Sequence, residues 1–200
     1  FVFDDVAAIV ENPTIRRLWP LGPVLSPPHE LGLTVNGRPV LNLSLALNYA
    51  VSGTAVWSYH ALNLLIHVGA ALALFGVMRR TLARIAGPAR DESGAVALAV
   101  AALWAVHPLT TAAVTYTVQR AEALVGLFYL LTLYAFVRGA EGHLLDDTSP
   151  GGRREGKGTF SEGGREARGG WLAGSVVACA LGMATKEVMV SAPVIVFLFD

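Results

Sequence analysis

Charged side chains are scarce. Asp, Glu, Lys and Arg make up 15% of the 200 residues while 54% are hydrophobic; an average soluble domain carries about 25% charged residues. A water-facing surface cannot be covered from that supply, which excludes an ordinary soluble globule. No sign of charge prevails either: fifteen Lys plus Arg balance fifteen Asp plus Glu, so there is no basic footprint for a nucleic-acid partner and no acidic tail. The lone cysteine, Cys179, has no intrachain disulfide partner and sits among small apolar residues as packing. No initiator methionine or targeting segment precedes Phe1, and Asp200 directly follows the apolar run Val194 to Phe199, so elements are expected to be missing at both ends.

What is abundant is apolar sequence in runs such as Ala95 to Val106 and Leu124 to Val137, with a mean hydropathy of +0.52. These features predict an all-α polytopic membrane protein. Residues 1–56 hold six of the ten prolines and read as an ordered, irregular loop. Within it Val40 to Tyr49 is too short to cross a bilayer and fits an interfacial helix. Membrane segments are expected at 57–78, 95–118, 120–137, 171–185 and 188–200. Pro108 favours an early turn between His107 and Arg120. Residues 139–170 contain ten glycines, many charges and almost no large apolar groups, and are expected to be a disordered loop. The stretch Gly151 to Thr159 nearly matches a phosphate-cradling loop, but Gly158 stands where a hydroxyl residue belongs and no strand precedes it, so the match reads as chance. Ten of the fifteen basic residues lie in 79–93 and 138–170. That bias makes those loops cytoplasmic and puts loop 1–56, the 107–122 turn and Lys186-Glu187 on the extracytoplasmic side.

The polar residues expected on that side form a candidate site. Asp4 and Asp5 are adjacent carboxylates suited to act as a general base, to hold a cation, or simply to cap a helix. His60, Asn63 and His67 recur at i, i+3 and i+7 and make one polar stripe on the first span, facing a wet cavity or bonding to a neighbouring helix. His107 ends a span. Arg120 and Glu122 open the next, as catalytic groups or as interface anchors. Lys186 and Glu187 interrupt an apolar stretch, where charge is costly and suggests function. Arg38 adds a third cation. A carboxylate pair facing Arg38, Arg120 and Lys186 suits the displacement of an anionic lipid-linked leaving group by a deprotonated nucleophile.

The ordered motifs FDD (Phe3 to Asp5), Asn12, GRPV (Gly37 to Val40), YHALNLLIH (Tyr59 to His67), WAVHPL (Trp104 to Leu109), VQRAEAL (Val118 to Leu124) and ATKEVMVSAP (Ala184 to Pro193) resemble the membrane portion of the TMTC family, transmembrane proteins with tetratricopeptide repeats, and its bacterial relatives. The resemblance spans the chain except 139–170. It differs at Thr110 and Ala112, where the family often has His and Glu, and at Gln119 and Glu122, where Gly and Asp are usual. It implies a GT-C-type transmembrane helix bundle whose first extracytoplasmic loop carries short interfacial helices and an acidic base. It further implies an inverting glycosyltransferase, taking a mannose-like sugar from a polyprenyl-phosphate donor to an acceptor hydroxyl on protein or glycan. Asp4 matches the base and Asp5 its neighbour. Arg38, Arg120 and Lys186 are then candidate donor-phosphate contacts, and His60, His107 and Glu187 shape the site. Downstream repeats handle acceptors in that family. Membrane lipids are partners, no cofactor is specified, and a divalent cation at the acidic pair is left open. The Ala- and Gly-rich composition points to a bacterial inner membrane and undecaprenyl phosphate, with the endoplasmic reticulum and dolichol as the eukaryotic counterpart.

Two other classes fit the composition. A secondary transporter or flippase would carry its substrate along the polar stripe, and predicts paired broken helices in two repeat halves; no such repeat is evident. A catalytically silent anchor for a repeat domain would tolerate loss of both Asp4 and Asp5.

Overall fold

A computed structural model describes residues 1–27, 34–85, 93–147 and 160–199. The described residues are helices, turns and irregular chain. After a π-helical turn at Val6–Val10 and a 3-10 turn at Pro13–Ile15 come α1 (Leu21–Leu25), α2 (Pro39–Ser52), α3 (Trp57–Ile85), α4 (Ser93–Ala105), α5 (Thr111–Thr115), α6 (Arg120–Asp147), α7 (Phe160–Met183) and α8 (Ala192–Phe199). Helices α3 and α6 lie side by side, with α4 against α3 and α7 against α6.

The segments at Trp57–Ile85 and Thr117–Ala140 are long and apolar enough to cross a membrane. Within the run 95–118, read as one membrane segment with a turn favoured early after His107, α4 ends at Ala105 and the following Pro108–Thr115 piece departs from its axis by 54°. Pro108 explains the break. It brings no N–H, its ring clashes with the carbonyl four residues back, and it forces His107 into an extended conformation (φ −67°, ψ 134°). Helices also reach further than composition suggested. Of the 139–170 stretch expected to be disordered, 139–147 continues α6 and 160–170 opens α7. Extending a helix that is already packed needs no new nucleus, and Glu141, Leu144, Leu145, Glu166 and Arg168 are good helix formers. The phosphate-loop look-alike at 151–159 lies outside the described residues.

The Pro-rich first segment is anchored by a buried amide network. The Asn12 side chain donates to Ala8 O and to Asn42 Oδ1, both at 3.0 Å, and accepts from Thr14 N. Asn42 in turn donates to Thr14 Oγ1 at 2.9 Å and Val24 O at 2.7 Å. Both amides are fully buried, so each supplies bonds that irregular backbone lacks. Ile9, Ile15, Val24, Leu41, Leu45 and Tyr59 close over them as the core.

Glycine sets how closely α3 and α6 approach. A Cβ on Gly76 would lie 2.6 Å from Tyr134 Cε2 and 2.8 Å from Cδ2. That ring has little room to yield: Arg80 lies over it at 5.4 Å, Trp171 meets it edge-on at 6.0 Å, and its hydroxyl accepts from Arg138 at 3.3 Å. Gly76→Val should therefore cost about 1–3 kcal/mol through overpacking. In thermal unfolding in detergent, Gly76→Val should melt earlier than wild type, and adding Tyr134→Ala should cost less in that background than alone. Additive losses would show that the two residues do not meet.

Candidate functional site

Residues Val2 to Asp5 form a closed turn. Asp5 N–H donates to Val2 O at 3.1 Å, and Val2 N–H donates to Asp5 Oδ2 at 3.2 Å. The turn runs through Phe3, which adopts a left-handed conformation (φ 46°); this is unusual for a bulky residue and needs its surroundings to hold it. One consequence is that the two adjacent carboxylates part company. Asp5 is buried, and its Oδ1 accepts the backbone N–H of Val118 at 2.9 Å, 113 residues away. Asp4 is exposed.

Phe3 and Asp5, flanking Asp4, line a cavity of about 370 Å³ whose walls include Phe1, Val56, His60 and Thr115 to Thr117. A volume of that order falls within the range of small-ligand sites. The cavity wall at 115–117 belongs to the broken stretch between α4 and α6, and the polar stripe of α3 holds that stretch in place. His67 Nε2 meets Ala105 O at 2.9 Å, His60 Nδ1 meets Val114 O at 3.3 Å, and Asn63 Nδ2 donates to Tyr116 O at 3.4 Å. A carbonyl only accepts, so both imidazoles carry a proton on the nitrogen concerned. The stripe therefore satisfies carbonyls around the broken stretch, and His67 also stacks on Trp104 at 5.0 Å.

Arg120, expected among the phosphate contacts, is fully buried. Its Nε donates to Asn63 Oδ1 at 2.7 Å, Nη1 to Ser44 O at 3.2 Å and Nη2 to Tyr59 O at 3.0 Å, with the guanidinium 5.7 Å from the Tyr59 ring centre. All three guanidinium nitrogens are thus engaged by α2 and α3, and the structure gives Arg120 to the frame rather than to an open surface. The planar fork suits this three-way fixing in a way an ammonium does not.

Of the expected site residues only Asp5 and His60 line the cavity; Asp4 and the others are not among its lining residues. Lys186 pairs with Glu122 in the first turn of α6. Arg38 is half-buried, precedes α2 and donates to Thr34 O at 3.0 Å. Its neighbour Val40 donates a backbone bond to Ala184 O at 3.3 Å, which brings the start of α2 beside the segment that carries Lys186. His107 is exposed and caps the Pro108–Thr110 turn, its Nδ1 accepting from Leu109 N at 3.2 Å. Glu187 is exposed. Among the described residues no three His, Cys, Asp or Glu side chains converge as metal ligands. At the acidic pair both Asp5 oxygens already accept N–H groups, so the donor set does not fit a divalent cation that wants six or more oxygens. Ser44, Tyr59 and the 115–117 wall were not singled out from sequence. Only Tyr59 carried a signal, as a polar aromatic one residue before the stripe.

No family model matches the chain, and no solved structure matches it. Among curated proteins, the chain is 33% identical over 144 residues to protein O-mannosyl-transferase TMTC3 of Homo sapiens, covering 69% of this chain and 15% of the relative. Against protein O-mannosyl-transferase Tmtc2 of Drosophila melanogaster the identity is 30% over 209 aligned positions, covering 100% of this chain and 19% of the relative. Against protein O-mannosyl-transferase F38B6.6 of Caenorhabditis elegans it is 32% over 148 residues, covering 70% and 20%. The chain thus spans a fifth or less of the length of these relatives.

Proposed function

Because this chain belongs to the TMTC family, we propose that it is the catalytic membrane part of a GT-C-type glycosyltransferase, moving a mannose-like sugar from a polyprenyl-phosphate donor to a hydroxyl of a protein acceptor. The relatives' shared name, protein O-mannosyl-transferase, supports the reaction class and the acceptor. The observation that carries the reading is the separation of the acidic pair. Asp5 is tied into the frame and lines the cavity, while Asp4, next to it in the chain, is exposed and carries the carboxylate that is left free.

In this reading Asp4 accepts the proton of the acceptor hydroxyl. The oxygen attacks the anomeric carbon as its bond to the phosphate oxygen breaks, and polyprenyl phosphate leaves with inversion. Asp5 fixes the turn that aims Asp4. His60 and the 115–117 wall shape the cavity. A phosphate leaving group requires cationic stabilisation; Lys186 and Arg38 are the proposed contacts, while Arg120 braces α2 and α3 from within. The concentration of basic residues in 79–93 and 138–170 supports reading this end of the bundle as the extracytoplasmic one.

The test is to incubate membranes containing the full-length protein with a panel of radiolabelled polyprenyl-phosphate sugars. One of them should label protein in an alkali-sensitive, hydroxyl-linked form. Labelling by none of them, with a nucleotide sugar labelling directly instead, would overturn the proposal.

A further inference from the structure

Resting on the lipid-phosphate reading above, we propose that Glu122 is the resident counter-ion of Lys186, displaced when the phosphate of the lipid binds and returning when it leaves. Of the three cations considered as phosphate contacts, Arg120 has all its nitrogens engaged by the protein and Arg38 donates to a neighbouring carbonyl. Lys186 differs. It flanks the Glu187–Ser191 turn in extended backbone at the break after α7, and its ammonium rests on the Glu122 carboxylate. The two side chains are 21% and 51% exposed.

An ion pair open to water on the carboxylate side is held weakly and exchanges readily. A phosphate monoester carries about 1.5 to 2 negative charges near neutral pH, more than the single charge of the sugar-linked diester or of Glu122. The balance between the two anions therefore shifts toward the phosphate as the sugar–phosphate bond breaks, and Lys186 stabilises the developing charge more than the ground state. After transfer, the carboxylate still competes for the same ammonium, so the spent lipid is held less tightly than an unpaired Lys186 would hold it. Nothing is oxidised or transferred in this step; one anion replaces another on a fixed cation.

The experiment measures binding of unglycosylated polyprenyl phosphate to the full-length protein in nanodiscs. Relative to wild type, Glu122→Gln should bind about two- to fivefold tighter, because a weak competing pair is removed. Lys186→Met should bind roughly ten- to a hundredfold weaker, through loss of a charge-assisted contact. Lys186→Arg should stay within a few-fold of wild type, and Glu122→Gln should give little gain on the Lys186→Met background. A merely structural Glu122 cannot yield tighter binding when removed. If wild type binds, Lys186→Met weakens binding and Glu122→Gln also weakens it, Glu122 positions Lys186 and the exchange is overturned while the donor reading stands. If wild type itself does not bind, the donor reading fails and takes the exchange with it. Inorganic phosphate competing as strongly as the lipid would overturn the lipid assignment.

Discussion

Asp4→Asn is expected to lower sugar transfer about 100- to 10,000-fold while leaving membrane insertion and donor binding intact. The amide has nearly the volume of the carboxylate and still forms hydrogen bonds, but it cannot take up the acceptor's proton, so the loss falls on turnover. Because Asp4 is exposed, no buried bond is broken and the fold is spared. Asp5→Asn should behave differently. Its side-chain oxygen can still accept from Val118, but its NH₂ would then face the Val2 N–H, so one bond is lost and the turn that aims Asp4 loosens. The expected result is a smaller loss of turnover together with lower thermal stability. Single-turnover kinetics with saturating lipid donor separate the two. A dead Asp5→Asn beside a near-normal Asp4→Asn would move the base to Asp5.

Arg120→Met should be the most destabilising single change in the described part of the chain. It strips the partners from Asn63 Oδ1, Ser44 O and Tyr59 O, all inside the bundle, where a stranded polar group costs about 1–3 kcal/mol. A total of about 3–5 kcal/mol is expected, the scale of breaking a buried charged network. Arg120→Lys should recover part of this, since an ammonium reaches fewer of the three positions. Unfolding in detergent measures it, read by the loss of helical circular dichroism. If Arg120→Met instead unfolds like wild type but no longer binds polyprenyl phosphate, Arg120 is a donor contact and its buried bonds are incidental.

The contrast between these two residues shows what could be read from the chain before folding. The span from Trp57 was legible because 57–78 holds no formal charge. Its continuation to Ile85 was not, because Arg79 and Arg80 look like a stop yet are good helix formers that lie along the aromatic rings of Phe75 and Tyr134. The stripe His60, Asn63, His67 was legible as a stripe, since its spacing alone puts the three on one face. Its targets were not, because the carbonyls of Ala105, Val114 and Tyr116 need partners only once Pro108 has broken the helix. Arg120 beside Glu122 reads locally as an interface pair. Its actual partners, 57 to 76 residues earlier, exist only in three dimensions, and Glu122 goes to Lys186 instead. Asp4 and Asp5 were both visible as candidates. Which one is free depended on a left-handed Phe3 and a bond to Val118, neither of which local sequence specifies.

The most direct measurement of direct displacement from a lipid phosphate uses purified full-length protein with a doubly labelled polyprenyl-phosphate sugar and an acceptor protein. The account predicts one free polyprenyl phosphate for each hydroxyl-linked sugar formed, a product of opposite anomeric configuration to the donor, and the loss of both products together in Asp4→Asn. Retained configuration, or sugar transfer that persists undiminished in Asp4→Asn and Asp5→Asn alike, would contradict it.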